Sequence, residues 1–176
     1  DAVWAVQSNV GGASSVTCTG MDLGSGIIVC GSFNGMLTLG SKTYSSTWNG
    51  SDIFVAAVSY SGSGFSWSLR EGGYDTDYCT SVTTDGSLIF ITGYFWGTTT
   101  FGTKNINANG GASDYDVFIA KYGSGGEFYW AVNFGGSQHD YGYGIDLTND
   151  GVYTTGQKAG MGFISKHTLN LTQVWT

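Results

Sequence analysis

Basic side chains are scarce in this chain. Its 176 residues hold six Lys and Arg against 13 Asp and Glu, for a net charge of −7. Phosphate binding needs clustered cations, so nucleic acid is excluded as a partner. Charged residues of both signs make up only 11% of the chain, which does not suit a helix bundle built on Ala, Leu, Glu and Lys. No apolar run reaches the ~18 residues of a membrane span, and no membrane insertion is expected. Cysteine occurs three times, as Cys18, Cys30 and Cys79, with no C-x-x-C pair. That odd count and spacing exclude a cysteine metal cluster, and no metal site is assigned. Proline is absent, so the turns fall to the 30 glycines.

What is present is aromatic and regularly spaced. Phe, Trp and Tyr make up 15% of the chain and apolar residues 41%, which argues against glycine-rich disorder. Trp4, Trp67 and Trp130 are each 63 residues apart, and Trp175 follows 45 residues later. A fixed period of this size decides the architecture before any other feature. The unit between Trp67 and Trp130 has a copy before it and a shortened copy after it. Gly11-Gly12, Gly72-Gly73 and Gly135-Gly136 follow the Trp segments. Gly31, Gly93 and Gly156 end the segments IIVCG, FITG and YTTG, and Phe54, Phe118 and Phe163 sit in IFVA, VFIA and GFIS.

Each unit reads as four short strands with hairpin-like turns, forming one antiparallel sheet. GIIVCGSF (26–33) is apolar enough for burial on both faces, and DIFVAAVSY (52–60) is another strong strand, with SLIFITGYF and DVFIAKY in the same places of the second unit. Stacking such sheets radially is the β-propeller solution. The expected fold is therefore all-β, with three four-stranded antiparallel blades in one domain over 1–176. Residues 1–10 read as the Trp strand of a preceding blade, 11–70 as the first blade, 71–133 as the second, and 134–176 as a shortened third. The segments 34–51 and 97–114 read as polar connections. Three blades are too few to close a ring. Further blades or copies of the chain itself are the expected partners, within a larger ring or assembly. The chain begins at Asp1 without Met or signal peptide, which reads as a trimmed precursor or a segment of a longer protein.

The sequences GGYDTD (72–77), FITG (90–93), DYDVFIAKY (114–122) and SGGEFYW (124–130) carry a family resemblance. So do GGSQHD (135–140) and SDIFVAAVSYSGSGFSW (51–67). Over nearly the whole chain the pattern resembles a β-propeller repeat family found in secreted and cell-surface proteins. The resemblance implies the fold and leaves the role open, since such propellers serve many functions.

The candidate site residues follow. Cys18 and Cys30 flank a turn near Gly24 at nearly equal distances, so a hairpin would set them across from each other as a disulfide. The alternative is two buried free thiols. Asn49-Gly-Ser and Asn170-Leu-Thr are glycosylation sequons, and with the low charge they favour an extracellular or cell-surface location. Asp75, Asp77, Asp114, Asp116 and Asp140 could bind Ca²⁺, but turn capping by their carboxylates is the favoured reading. His139 beside Asp140 invites a Ser-His-Asp reading that carries little weight in a Ser-rich chain. Tyr74, Tyr78, Tyr94, Trp96, Tyr141 and Tyr143 lie in or beside loops. Trp96 falls outside the repeated Trp positions. With Tyr74, Asp75, Asp77 and Asp140 it forms the candidate ligand-binding set, on the general recipe for sugar recognition.

The function expected from the sequence is a non-catalytic, extracellular structural or adhesive module of a surface or matrix assembly, without cofactor. The alternatives are a carbohydrate-binding propeller and a fragment of a glycan-active enzyme.

Overall fold

A computed structural model describes residues 9–48, 50–110, 114–170 and 172–175 of the chain, without side chains for 9–14. The structure is all-β, with no helix among the described residues and four antiparallel sheets. Among the described residues no closed barrel or ring is formed. None of the described elements is a helix long and apolar enough to cross a membrane.

The first sheet contains β1 (Asn9–Leu23), β2 (Ile27–Leu39), β4 (Asp52–Val58) and β5 (Phe65–Glu71) in that spatial order, with β3 (Lys42–Ser45) paired to the far half of β2. The second contains β6 (Asp77–Thr84), β7 (Leu88–Trp96), β10 (Tyr115–Gly123) and β11 (Phe128–Phe134). Between β7 and β10, β8 (Thr98–Phe101) and β9 (Lys104–Asn107) form a separate hairpin. The third sheet is β12 (Asp140–Thr148), β13 (Gly151–Lys158), β14 (Met161–His167) and β15 (Gln173–Trp175).

Two expectations are corrected here. The connections at 34–51 and 97–114 carry strand structure: β2 runs on to Leu39, β3 pairs with it, and β8–β9 is a hairpin. Their apolar residues explain this, since Leu37, Leu39, Phe101 and Ile106 are buried against the main sheets. The expected boundary at Gly11 also falls inside β1, where Asn9 and Val10 pair with Thr38 and Leu37. Residues 1–8, including Trp4, lie outside the described residues.

The middle strands are buried on both faces. Every residue of β4 is buried, as are Ile89–Gly93 of β7 and Asp116–Ala120 of β10. Their near-continuous apolar runs follow from that position, because a neighbouring layer covers each face. One core joins Ile28, Val55 and Leu69 of the first sheet to Ile91, Phe118 and Tyr122 of the second. Another joins Phe90 and Ile119 of the second sheet to Ile145 and Val152 of the third.

A three-fold device aligns the sheets. Gly31 lies opposite Phe54, Gly93 opposite Phe118, and Gly156 opposite Phe163. A Cβ on any of these glycines would collide with a carbonyl of the first strand, at Thr17, Tyr78 or Tyr141, and press on the Phe ring. Glycine therefore lets the aromatic ring lie flat across the sheet. Beside each glycine the first strand carries a β-bulge, at Thr19, Thr80 and Tyr143. The Thr19 hydroxyl donates to Cys79 O of the second sheet at 2.5 Å, and the Thr80 hydroxyl to Gly142 O of the third at 2.8 Å. The bulges thus tie each sheet to the next.

The position of the β1–β2 turn overturns the Cys18–Cys30 disulfide. The β1–β2 turn is centred on Ser25, with Leu23 opposite Ile27, so Cys30 faces Gly20. Thr19 then drops out of register and Cys18 faces Gly31. A one-residue offset sends neighbouring side chains to opposite faces. Cys18 is exposed, Cys30 is buried beside Cys79, and all three thiols are free.

The repeated tryptophans hold equivalent places, with Trp67 opposite Ala57, Trp130 opposite Lys121, and Trp175 opposite Lys166. Trp67 serves inter-sheet packing: its Nε1–H donates to Ser124 O at 2.9 Å, and its ring covers Gly126.

Candidate functional site

The site is built where β7 ends and β6, β10 and β12 begin. Alternate residues of a strand share a face, so Tyr94 and Trp96 of β7 point the same way. Register places Tyr78 opposite Tyr94 and Tyr115 opposite Trp96. The third sheet brings Tyr141 against them. Tyr94 lies 5.0 Å from Tyr78, 5.3 Å from Tyr115 and 4.9 Å from Tyr141 between ring centroids, the last two edge-on. Trp96 packs edge-on to Tyr115 at 4.8 Å and 5.8 Å from the His139 ring. Tyr143 continues the cluster, parallel to Tyr141 at 6.2 Å. Edge-on and offset rings are the favoured aromatic geometries.

Hollows flank this cluster on both sides. One, of about 450 Å³, is lined by Asp114, Gln138, His139, Tyr141 and Gln157. The other, of about 370 Å³, has a hydroxyl-rich wall of Ser15, Thr17, Thr19, Ser32 and Ser51, with Tyr78 and Tyr94 at its edge. Burial, and then the neighbouring phenols, push the Tyr94 hydroxyl up to about 12. Tyr115 is raised by the same causes. Both therefore stay neutral at physiological pH and can donate as well as accept. Among the described residues, the hydroxyls of Tyr78, Tyr94, Tyr115 and Tyr141 have no protein hydrogen-bond partner. His139 Nδ1 accepts from the Tyr115 N–H at 3.2 Å and lies 3.6 Å from Asp114 Oδ1. In the neutral ring the proton then sits on Nε2.

A second aromatic group opens on the same end of the sheets. Trp48 and Tyr74 lie 5.6 Å apart at the mouth of a hollow of about 550 Å³, which Arg70, Glu71, Thr98 and Thr100 also line. Both rings are strongly exposed, Trp48 at 77% and Tyr74 at 62%. The charged groups below are already engaged. Arg70 Nε binds Asp52 Oδ2 at 2.6 Å. Glu71 accepts from Gly102 N at 2.8 Å and from the Tyr122 hydroxyl at 3.0 Å. Burial raises Glu71 to about 7.

The residues singled out in the sequence separate in the structure. Trp96 joins the tyrosine cluster, whereas Tyr74 and Asp75 belong to the Trp48 group. Asp77 and Asp140 are not ligand contacts: both are buried, and they accept from Gly73 N at 2.7 Å and Gly136 N at 2.6 Å. Asp140 also accepts from Ala159 N at 2.8 Å, so it does not orient His139. Asp52 and Asp116 hold the connections in a similar way, through Thr47 N and Asn109 N. No group of three or more His, Cys, Asp or Glu side chains among the described residues is placed to hold a metal ion. Asn170 is exposed in the β14–β15 turn, and Asn49 lies outside the described residues. Tyr115, Trp48 and Glu71 were missed. Tyr115 could have been found as the aromatic opposite Trp96, but only once the β7–β10 register was known. No protein-family model and no curated protein matches the chain.

Proposed function

We propose that the chain is a non-catalytic segment of an extracellular β-propeller that adheres to carbohydrate through the tyrosine groove. The stacked antiparallel meanders and the repeated Gly–Phe device support the propeller reading, with the three main sheets as its blades. Further blades or copies of the chain would complete the ring.

The observation that carries the binding role is the continuous cluster of Tyr78, Tyr94, Trp96, Tyr115, Tyr141 and Tyr143, half-buried to exposed, with the Gln138 and Gln157 amide side chains beside it. Aromatic faces take the apolar faces of sugar rings, while hydroxyls and amides take the sugar hydroxyls. The buried carboxylates are committed to holding loops, which supports adhesion over catalysis.

The test is a glycan array with the intact protein, followed by calorimetry on the best glycan. Binding that Tyr141→Ala weakens at least about tenfold, or ~1.4 kcal/mol, supports the reading. An array without a single bound glycan sinks it.

A further inference from the structure

The tyrosine groove does not stop at Trp96. We infer that it continues over Gly97 to the Trp48–Tyr74 pair, as one track fitted to an extended, uncharged polysaccharide chain. This rests on the carbohydrate reading and specifies the ligand.

Trp48 is the first reason. It is an exposed aromatic residue with φ +43°, in the left-handed region that bulky side chains avoid. Such outliers persist where the surroundings fix them, and they concentrate at ligand sites. Here the surroundings do fix the backbone. Thr47 N–H donates to buried Asp52 at 3.0 Å, and the Thr47 hydroxyl donates to Gly73 O. Gly50 N–H returns to Thr47 O at 3.1 Å. The loop is thus tied on both sides of Trp48, while its ring stays in solvent against Tyr74.

Continuity is the second reason. Trp96 N–H donates to Thr76 O at 3.1 Å, which docks the Tyr74–Asp75–Thr76 segment on the end of β7. Gly97, at φ +64°, lies between the two aromatic groups, and a Cβ there would come within 2.8 Å of Asp75 Oδ2. Residue 97 adds no side chain of its own to the saddle between the groups, and the Asp75 carboxylate lies over it. A chain of sugar rings could lie across it, accept ring contacts at both ends and donate hydroxyls to Asp75 in the middle.

Charge decides the ligand class. Asp52 occupies Arg70, and Glu71 is bonded to Gly102 and Tyr122. Arg70 is the one Lys or Arg among the described residues lining the track's hollows and it is already paired, and the chain as a whole carries a net charge of −7. A neutral glycan fits.

The experiment is calorimetry of the intact protein with neutral gluco-, manno- and xylo-oligosaccharides, from disaccharide to hexasaccharide, and with Trp48→Gly and Tyr141→Ala. Glycine suits a positive φ, so Trp48→Gly removes the ring without disturbing the loop. The expected result is affinity that rises about tenfold or more with length, because the second contact is made intramolecularly. Trp48→Gly should abolish that rise and leave the disaccharide unaffected, whereas Tyr141→Ala should weaken every length. Length-independent binding, or a rise that survives Trp48→Gly, overturns the track while leaving the groove intact. No binding at any length overturns both.

Discussion

Glu71 is the place to test the energetics of the fold. It sits at the end of β5, only 7% exposed, against Tyr122 of β10 and the Gly102 turn of the β8–β9 hairpin. Burial raises its carboxyl from 4.5 to about 7, although hydrogen bonds from Gly102 and Tyr122 and the nearby Arg70 charge oppose the rise. The folded state therefore holds a proton that the unfolded state has released. Between pH 7 and 4.5 the folded protein binds more protons, so stability rises as pH falls and is lost as pH climbs through 7. At ~1.36 kcal/mol per pH unit, the full effect is about 3 kcal/mol. Asp52, Asp77 and Asp116 are shifted the same way by burial and add to the slope. Urea unfolding of wild type and Glu71→Gln at pH 5, 6, 7 and 8 isolates the Glu71 share. The variant should match wild type in the acid range and exceed it by about 2–3 kcal/mol at pH 8. Equal slopes for the two proteins would refute the reasoning; buried His167, lowered to about 4 by desolvation, gives both proteins the same opposing slope below pH 6.5, so the difference between them is the readout.

Three further outcomes are expected. A thiol reagent should modify Cys18 ahead of the buried Cys30 and Cys79 in the native protein, and all three cysteines in denaturant without reductant; fewer than three would reveal a disulfide. Gly93→Ala should lower stability by roughly 1–3 kcal/mol, because the new Cβ meets the Tyr78 carbonyl and the Phe118 ring, and a neutral effect on the denaturation midpoint would disprove the glycine–aromatic account. Asp77→Asn keeps an acceptor for Gly73 N–H and removes a buried carboxylate, so it should stabilise the protein at pH 8 and lose that advantage in acid. Destabilisation at pH 8 would show that Asp77 is held as a favourable charge.

The architecture was legible because it repeats. Gly31, Gly93 and Gly156 stand out in the sequence for the reason they matter in the structure, namely that only glycine fits against the first-strand carbonyl. Trp96 stood out by falling outside the Trp period, and it does lie in the groove. What escaped was everything set by register. A turn centred on Ser25 instead of Gly24 sets Cys30 opposite Gly20, the bulged Thr19 leaves Cys18 opposite Gly31, and nothing in the local sequence marks either. Leu37, Leu39, Phe101 and Ile106 were read as parts of polar connections, since a few apolar residues among Thr, Asn and Gly carry little periodic signal. The groove itself draws on β6, β7, β10 and β12, so its unity is a product of sheet stacking. Asp77 and Asp140 misled for the opposite reason: the same acid at the same place in two repeats suits a backbone brace as well as a ligand site.

Aligning the sheets on their glycines also reveals a wettability gradient. The position three residues before the glycine is Ile28, then Phe90, then Tyr153; the position just before it is Cys30, then Thr92, then Thr155. Opposite the tryptophans the series runs Ala57, Lys121, Lys166. Lys166 is neutralised on the surface by Asp150 at 2.6 Å. The gradient is confined to those rows, because Val55, Ile119 and Ile164 stand opposite Cys30, Thr92 and Thr155 and are apolar throughout. On the third sheet Ile164 and Trp175 are both exposed beside Thr155 and Lys166. Its outer face thus sets an apolar strip beside a hydrated one, the kind of surface that a further sheet covers.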